Sequence, residues 1–402
     1  GGSSLNQILA KGSATLASLF SILLKFRLRK SAFSADVSMA YNGIQIEPEY
    51  VAYQKFLWKT DMVDTNPLET WAILTLIYGV RPSGNQMIEG FRRLGEHALL
   101  TDQARLAGGA YALMNDTYMD DVLSANDSVM ECEEVASQLK NVLELGSMSV
   151  KDITFSGQSP SEAVSSDGTH VGALGMLWDS EKDTLKADIG ELYLGKKVRG
   201  KTPEIIKEGL EEKLSGKFTR RVVVGKVSQV YDPLGLLVPI TAKYKLHLHD
   251  LCKHKLDWDD PIPKEYLQLW CDNINEIQTL GDLYFSRSVV PPDAESPNLS
   301  YIVSCDASQE ICICSVHSRI KKMDGSYHVQ LVAAKSKIVT NLTVPRAELK
   351  GAVLAASLAH TVKRDSEERL RDVIYVTDST ICLYWMTQDQ RPLQTGVRNA
   401  VL

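Results

Sequence analysis

The segment Asn115-Asp116-Thr117-Tyr118-Met119-Asp120-Asp121-Val122-Leu123 constrains this chain more than any other. Two adjacent carboxylates stand between apolar runs, residues 110–114 on one side and Val122-Leu123 on the other. That pattern predicts two strands joined by a tight turn. Adjacent aspartates repel unless a cation neutralises them. Mg²⁺ is hard, takes oxygen ligands, and is held through one or two protein carboxylates plus substrate phosphates. The segment therefore predicts a hairpin that presents Asp120 and Asp121 to a divalent ion; the plainer alternative is a solvated Asp-rich turn.

The rest of the chain decides between these. Its 402 residues imply two or three domains. The net charge of -6 gives no global footprint for nucleic acid, so a polyanion-binding surface needs local clusters of base. Such an excess lies at Lys196, Lys197, Arg199 and Lys201, then Lys217, Arg220, Arg221 and Lys226; its alternative is a solvated helix face. Seven unpatterned cysteines read as reduced thiols in an intracellular protein. The apolar run 16–24 is too short to span a bilayer, and basic residues follow rather than precede it. It predicts an amphipathic helix, with no membrane span and no secretion signal. Beginning at Gly-Gly-Ser-Ser and ending at Val-Leu, the chain reads as a piece of something longer.

Alternation in residues 33–47 predicts a strand, a turn and a helix onset, with Asp36 at the strand end. Further strands are expected at 51–58, 151–155 and 171–178. Helices are expected at 66–106 (broken at 81–84), 128–145, 202–214, 218–230 and 239–254. The Pro-rich stretch 290–297 reads as a linker. Beyond it come strands at 300–305, 311–319 and 328–338, a helix at 345–363, a strand at 372–377 and a helix at 380–386. This last block carries Asp306 after one strand, Glu348 in the first turn of a helix begun by Pro345, and Asp378 after another strand. Ligands gather at strand ends in α/β sheets, and three carboxylates meeting there would bind metal. Taken singly, Glu348 could be helix-dipole decoration and the two aspartates N-caps. His247, His249, Cys252 and His254 fit no standard zinc spacing.

In this order the motifs resemble the polymerase region of Pao/BEL-class LTR retrotransposons. Phe33-Ser-Ala-Asp36 through Tyr41 resembles the first reverse-transcriptase motif, Tyr78-Gly79 through Gln86 the second, and Tyr118-Met119-Asp120-Asp121 the third. Leu174-Gly175-Met-Leu-Trp178-Asp179 is similar to the strands that support the primer. Phe218-Thr-Arg-Arg221 through Asp232-Pro233-Leu-Gly235 and on to Pro239 is similar to a Pao-type connection. Asp306-Ala-Ser308, Arg346-Ala-Glu348 and Thr377-Asp378-Ser379 resemble the first three acidic positions of ribonuclease H; the fourth is expected just beyond Leu402. Gly43 stands where a Gln is common. No Asp-Thr-Gly or Asp-Ser-Gly triplet occurs, so nothing supports an aspartic peptidase.

The resemblance implies an α+β multidomain protein: reverse-transcriptase fingers and palm over 1–190, a helical thumb and connection over 191–289, and a truncated ribonuclease H-like α/β domain over 296–402. It implies RNA-directed DNA polymerase activity by two-metal catalysis with Mg²⁺, or Mn²⁺ in its place, at Asp36, Asp120 and Asp121. Asp120 is expected to be the direct ligand beside Asp36, with Asp121 as support. Tyr41 would lie under the incoming sugar. Gly79, Ser83, Gly84, Tyr118 and Met119 would contact the nucleotide. Lys151 matches a position where a lysine could protonate pyrophosphate. Asp306, Glu348 and Asp378 would hold the metal that cleaves RNA in RNA–DNA hybrids, weakly in this chain. Lys196, Lys197, Arg199, Arg220 and Arg221 would follow template-primer phosphates. Implied partners are template-primer, hybrid, deoxynucleoside triphosphates and the protease and integrase segments of the polyprotein. The implied location is cytoplasmic, in virus-like particles. The alternatives are a decayed or host-retained fragment acting as a nucleic-acid-binding scaffold, and a nuclease unrelated to polymerases.

Overall fold

The computed structural model describes residues 4–13, 15–59, 67–160, 169–189, 218–366, 369–387 and 394–401. The chain forms two compact units, Gly1–Ile22 with Ser31–Glu162, and Leu23–Lys30 with Ala163–Leu402.

The first unit is built on a four-stranded antiparallel sheet. After α1 (Leu19–Arg27), whose second half belongs to the other unit, the chain enters β1 (Ser31–Ser38). Phe33, Ala35 and Val37 are buried while Ser34, Asp36 and Ser38 stay half-exposed, so period-2 alternation gives Asp36 the open face. A turn and a 3₁₀ segment follow instead of the expected helix onset. Then comes an exposed two-stranded ribbon, β2 (Lys55–Trp58) with β3 (Glu69–Ala72). The expected helix over 66–106 begins only at Ser83. Residues 73–76 are instead tied to 44–46, through Ile46 N–H to Leu74 O and Leu76 N–H to Ile44 O. Helix α2 (Ser83–Asn115), kinked at Asp102, absorbs the 110–114 run expected to be a strand. The hairpin proper is therefore short: β4 (Thr117–Tyr118) against β5 (Asp121–Asn126). Helix α3 (Val129–Leu145) starts at a capping box, in which Ser128 accepts from Glu131 N–H and Glu131 accepts from Ser128 N–H. β6 (Ser149–Phe155) closes the sheet, in the order β4-β5-β1-β6. Phe33, Phe91, Leu139 and Leu143 are almost fully buried between sheet and helices, each stabilising by about 1.5–3 kcal/mol.

The second unit holds two more sheets. The 171–178 stretch is not one strand but a hairpin, β7 (His170–Ala173) and β8 (Met176–Asp179), turning at Leu174 and Gly175. Both turn residues have positive φ, as two-residue hairpins favour. With β9 (Thr184–Ala187) and, further on, β10 (Phe285–Ser286), these make the sheet β10-β9-β8-β7. Helices α4 (Arg220–Val227), α5 (Val238–Lys253) and α6 (Lys264–Thr279) lie between them in sequence and bury Val223, Tyr244, Leu251, Trp270 and Ile274. The expected helix at 202–214 falls outside the described residues.

The last sheet has the order β13-β12-β11-β14, formed by β11 (Leu299–Ala307), β12 (Ile311–Lys321), β13 (Tyr327–Ile338) and β14 (Leu370–Val376). β14 runs parallel to β11 and the other pairs are antiparallel. Helix α7 (Val344–Asp365) packs across β11 and β12, and α8 (Thr380–Thr387) and α9 (Thr395–Val401) follow. Residues 290–297 are not a free linker. Val290 and Ala294 are buried, and Glu295 N–H and Met323 N–H pair with Lys321 O and Asp293 O, laying the segment along the β12–β13 hairpin.

Two features lock this unit. The first is the Asp232-Pro233-Leu234-Gly235 turn. Asp232 accepts from Leu236 N–H (2.8 Å) and Leu237 N–H (2.7 Å) at the entry to α5. Leu234 O accepts from Ala334 N–H at 2.9 Å. Gly235 has φ +77°, and a Cβ there would lie 1.8 Å from Ala334 O. The second is a pair of fully buried arginines. Arg287 holds Asp183 bidentately (2.6 and 2.8 Å) and donates to the carbonyls of Phe26, Arg29 and Lys30. Arg27 donates to Arg287 O, Val332 O and Ser286 O. Burial, then the neighbouring Arg287 charge, brings its pKa down to about 10. Asp183 also accepts from the indole N–H of buried Trp178.

Candidate functional site

In the first unit, β1 and β5 pair so that Asp36 lies directly across from Asp121, and Val37 N–H donates to Asp120 O at 2.9 Å. Adjacent antiparallel positions bring side chains on one face within about 4.5–5.5 Å at Cβ. The register thus sets Asp121 opposite Asp36, whereas the sequence reading favours Asp120 as its direct companion. Met119 opens the two-residue turn with φ +57°, a value uncommon outside glycine. A residue that the sequence reading missed pins the return strand: buried Asp116 accepts from Ser124 Oγ at 2.9 Å, and its carbonyl from Leu123 N–H. The single signal for it was a short polar residue ending a helix.

The electrostatics match a crowd of like charges. The Asp121 carboxyl is pushed up to about 6 by desolvation, then by Asp120 and Asp36, with Lys151 pulling the other way. Its residue still presents surface to water, so the neighbouring carboxylates matter alongside desolvation. Lys151 Nζ sits 2.9 Å from Asp36 Oδ1.

Tyr41 lies beside this group. Its ring is 4.3 Å from that of Tyr78, and its hydroxyl is 4.0 Å from Met119 Sδ. Desolvation, Asp120 and Tyr78 together raise its phenol pKa. Gly84 faces the same cluster: a Cβ there would meet Tyr41 Oη at 3.6 Å and Met119 Cε at 3.7 Å. Ser83 is buried at the start of α2, Tyr118 is half-buried in β4, and Gly79 has φ +85° with open space around it. Around Asp36, Asp120 and Asp121 the structure thus assembles Tyr41, Tyr78, Gly84, Met119 and Lys151.

In the second unit the three other acids share one end of the last sheet. Ser304 pairs in parallel with Val376, so Asp306 and Asp378 sit two positions further along neighbouring chains. Glu348 is the fifth residue of α7, which begins one residue before Pro345, and accepts from Ser379 Oγ at 2.6 Å. Ser379, not Asp378, makes the capping bond, accepting from Cys382 N–H at 3.2 Å. Asp306 lies inside β11 and is exposed. Neither aspartate is therefore an N-cap.

Both sets are hard oxygen donors with an excess of negative charge, which suits Mg²⁺ or Mn²⁺ in type. Among the described residues, no three or more His, Cys, Asp or Glu side chains stand together as a metal cluster.

The basic residues fare differently. Lys196, Lys197 and Arg199 lie outside the described residues. Arg220 donates to Leu256 O and rests 5.0 Å from the Trp258 ring. Arg221 forks onto Asp259 at 2.7 and 3.0 Å and lies 5.6 Å from the same ring. Both guanidiniums are engaged by the loop after α5. Among the histidines, His247 pairs with Asn273 and His254 with Tyr266.

The fold, mixed α/β with several sheets, resembles that of solved protease-reverse transcriptase structures. The chain is similar to a foamy viral protease-reverse transcriptase solved in complex with RNA/DNA hybrid, at 13% identity and TM-score 0.53, covering 98% of this chain and 45% of that one. It is also similar to the foamy viral protease-reverse transcriptase dRH solved with ds DNA, at 12% identity and TM-score 0.54, covering 98% and 58%. The chain thus spans about half the length of these structures. No curated protein matches it. Residues 219–379 match the family described as the Pao retrotransposon-like RNaseH-like domain. Among the described residues no helix is long and apolar enough to cross a membrane.

Proposed function

We propose that this chain is the reverse-transcriptase and ribonuclease H-like part of a Pao/BEL retroelement polyprotein, acting as an RNA-directed DNA polymerase. The observation that carries this is the register of β1 on β5, which sets Asp36 across from Asp121 with Tyr41 and Met119 alongside. In this reading the first unit supplies fingers and palm, and the helices of the second unit the thumb and connection. Bound Mg²⁺ supplies activation of the primer 3′-hydroxyl and charge neutralisation at the leaving pyrophosphate. Asp36, Asp120 and Asp121 hold it. Tyr41, packed against Tyr78, would lie under the deoxyribose and exclude a 2′-hydroxyl. The open, positive-φ backbone at Gly79 lets the nucleotide approach the chain closely.

The acids of the second unit support hydrolysis of the RNA strand of a hybrid. Glu348 is oriented by Ser379, and Asp306 and Asp378 flank it at the strand ends. Template-primer, hybrid and deoxynucleoside triphosphates are the proposed partners, supported by the nucleic acids in the similar foamy viral structures. A scaffold-only reading is disfavoured because all six acids persist together at two sheet ends.

Primer extension on an RNA template with Mg²⁺ tests the polymerase. Asp36→Asn or Asp120→Asn should lower incorporation on the order of 100-fold or more, while Glu348→Gln spares it and lowers only hybrid cleavage. Undiminished extension by both aspartate variants refutes the assignment.

A further inference from the structure

The pairing of β1 with β6 is irregular at one place. Val37 pairs with Val150 and Ala35 with Ile153. Between these pairs β1 has one residue, Asp36, and β6 has two, Lys151 and Asp152. This is a β-bulge on the edge strand, directly opposite a candidate metal ligand. Bulges re-aim side chains and concentrate beside active sites. Here the consequence is concrete: the Lys151 ammonium reaches Asp36 Oδ1 at 2.9 Å. It is thus placed against the acid that lies on β1, the neighbour of β6.

We propose that Lys151 is a built-in counter-cation of the polymerase site, one that competes with a divalent metal ion for Asp36 and so sets the concentration at which the site loads. The inference rests on the polymerase reading above for the identity of the ligands. Three lines support it. A lysine is a compact point charge on a flexible stem, able to neutralise one carboxylate but not to hold three together as a divalent ion does. The bulge gives its approach a structural cause, so the contact is not an accident of a long side chain. A displaced amine also has somewhere polar to go. Between α3 and β6 lies a groove of about 650 Å³ where Glu133, Ser137, Lys140 and Asp152 stand beside Lys151, with Ile153 and Phe155 among its apolar lining. Release of Asp36 therefore need not expose the ammonium to an apolar wall. The role is one of positioning and competition, separate from any proton transfer during the reaction.

Mn²⁺ binding to the full chain, followed by electron paramagnetic resonance without nucleic acid, tests this independently of activity. Lys151→Met should tighten binding by about two- to fivefold, the range an ion pair of this exposure supports. Lys151→Arg should stay near wild type. Lys140→Met removes a charge from the same groove without touching Asp36 and should change binding less than twofold. Asp36→Asn combined with Lys151→Met should abolish the gain. Binding unchanged or weakened in Lys151→Met overturns the proposal, as does an equal gain in Lys140→Met, which would show unspecific electrostatics. If wild type binds Mn²⁺ and Asp36→Asn weakens it while Lys151→Met does nothing, the competition fails and the polymerase site stands. If neither wild type nor Lys151→Met binds Mn²⁺, both fall. Circular dichroism of each variant secures the fold, since Lys151 is half-exposed and outside the core.

Discussion

Replacing Gly235 by alanine should be among the most damaging single-methyl additions in this chain. Three contributions follow from the geometry. The residue sits at φ +77°, and holding a non-glycine residue in the left-handed region costs roughly 1–2 kcal/mol. The new Cβ would lie 1.8 Å from Ala334 O, so the turn or β13 must retreat. Retreat stretches the 2.9 Å bond from Ala334 N–H to Leu234 O, worth about 0.5–1.5 kcal/mol. It also loosens Leu234, Leu236 and Leu237, all nearly fully buried, and shifts of this kind in packed regions cost about 1–3 kcal/mol. The total is about 2.5–6.5 kcal/mol. Urea unfolding followed by tryptophan fluorescence would show it as a lower midpoint at an unchanged slope. Gly225→Ala is the matched control. It lies inside α4 with nothing within 4 Å of an added Cβ, and should gain about 0.5–1 kcal/mol. A Gly235→Ala loss below about 1 kcal/mol would refute the close-approach argument.

Two further outcomes can be measured in the same way. Arg287→Met leaves Asp183 without its fork and three carbonyls without their donor, and should destabilise by about 3–5 kcal/mol; a shift in Tm within error would contradict it. The raised Asp121 carboxyl gives a pH dependence in EDTA. Its folded pKa of about 6 exceeds its ordinary 3.8, so its contribution to stability is full below about pH 4 and is lost as pH rises through 6. Asp121→Asn should therefore gain relative to wild type at pH 8 compared with pH 4, read from paired urea midpoints; a difference independent of pH would sink the assignment.

The last sheet was legible almost residue by residue, and the reason is local. β12 alternates buried and half-buried positions along its whole length, and Pro345 and Ser128 mark helix starts by local chemistry. The 110–114 run failed as a strand because a short apolar stretch is ambiguous in period. Only the packing of α2 on α3 decides it. The helix expected over 66–82 lost to pairing of β3 with β2, a contact across the chain that no window reveals. At the site, residue types and order were readable. The register that sets Asp121 opposite Asp36 was not, nor was the bulge that brings in Lys151. The engagement of Arg220 and Arg221 by Trp258 and Asp259, nearly forty residues away, had no sequence signal at all.

The clamp around Arg27 and Arg287 carries a consequence for synthesis. Residues 23–30 belong to the second unit although both flanks belong to the first, and their partner Arg287 lies 260 positions downstream. At roughly 5–20 residues per second, a ribosome needs tens of seconds to deliver that partner. Through that interval Leu23, Leu24 and Phe26, all buried in the finished protein, lack the part of their cover that comes with Arg287; Phe26 can meet only earlier partners such as Trp178. Segment 23–30 is thus a sticky tether that waits for a partner 260 positions on, and a piece cut at residue 162 would keep the tether and never receive its cover.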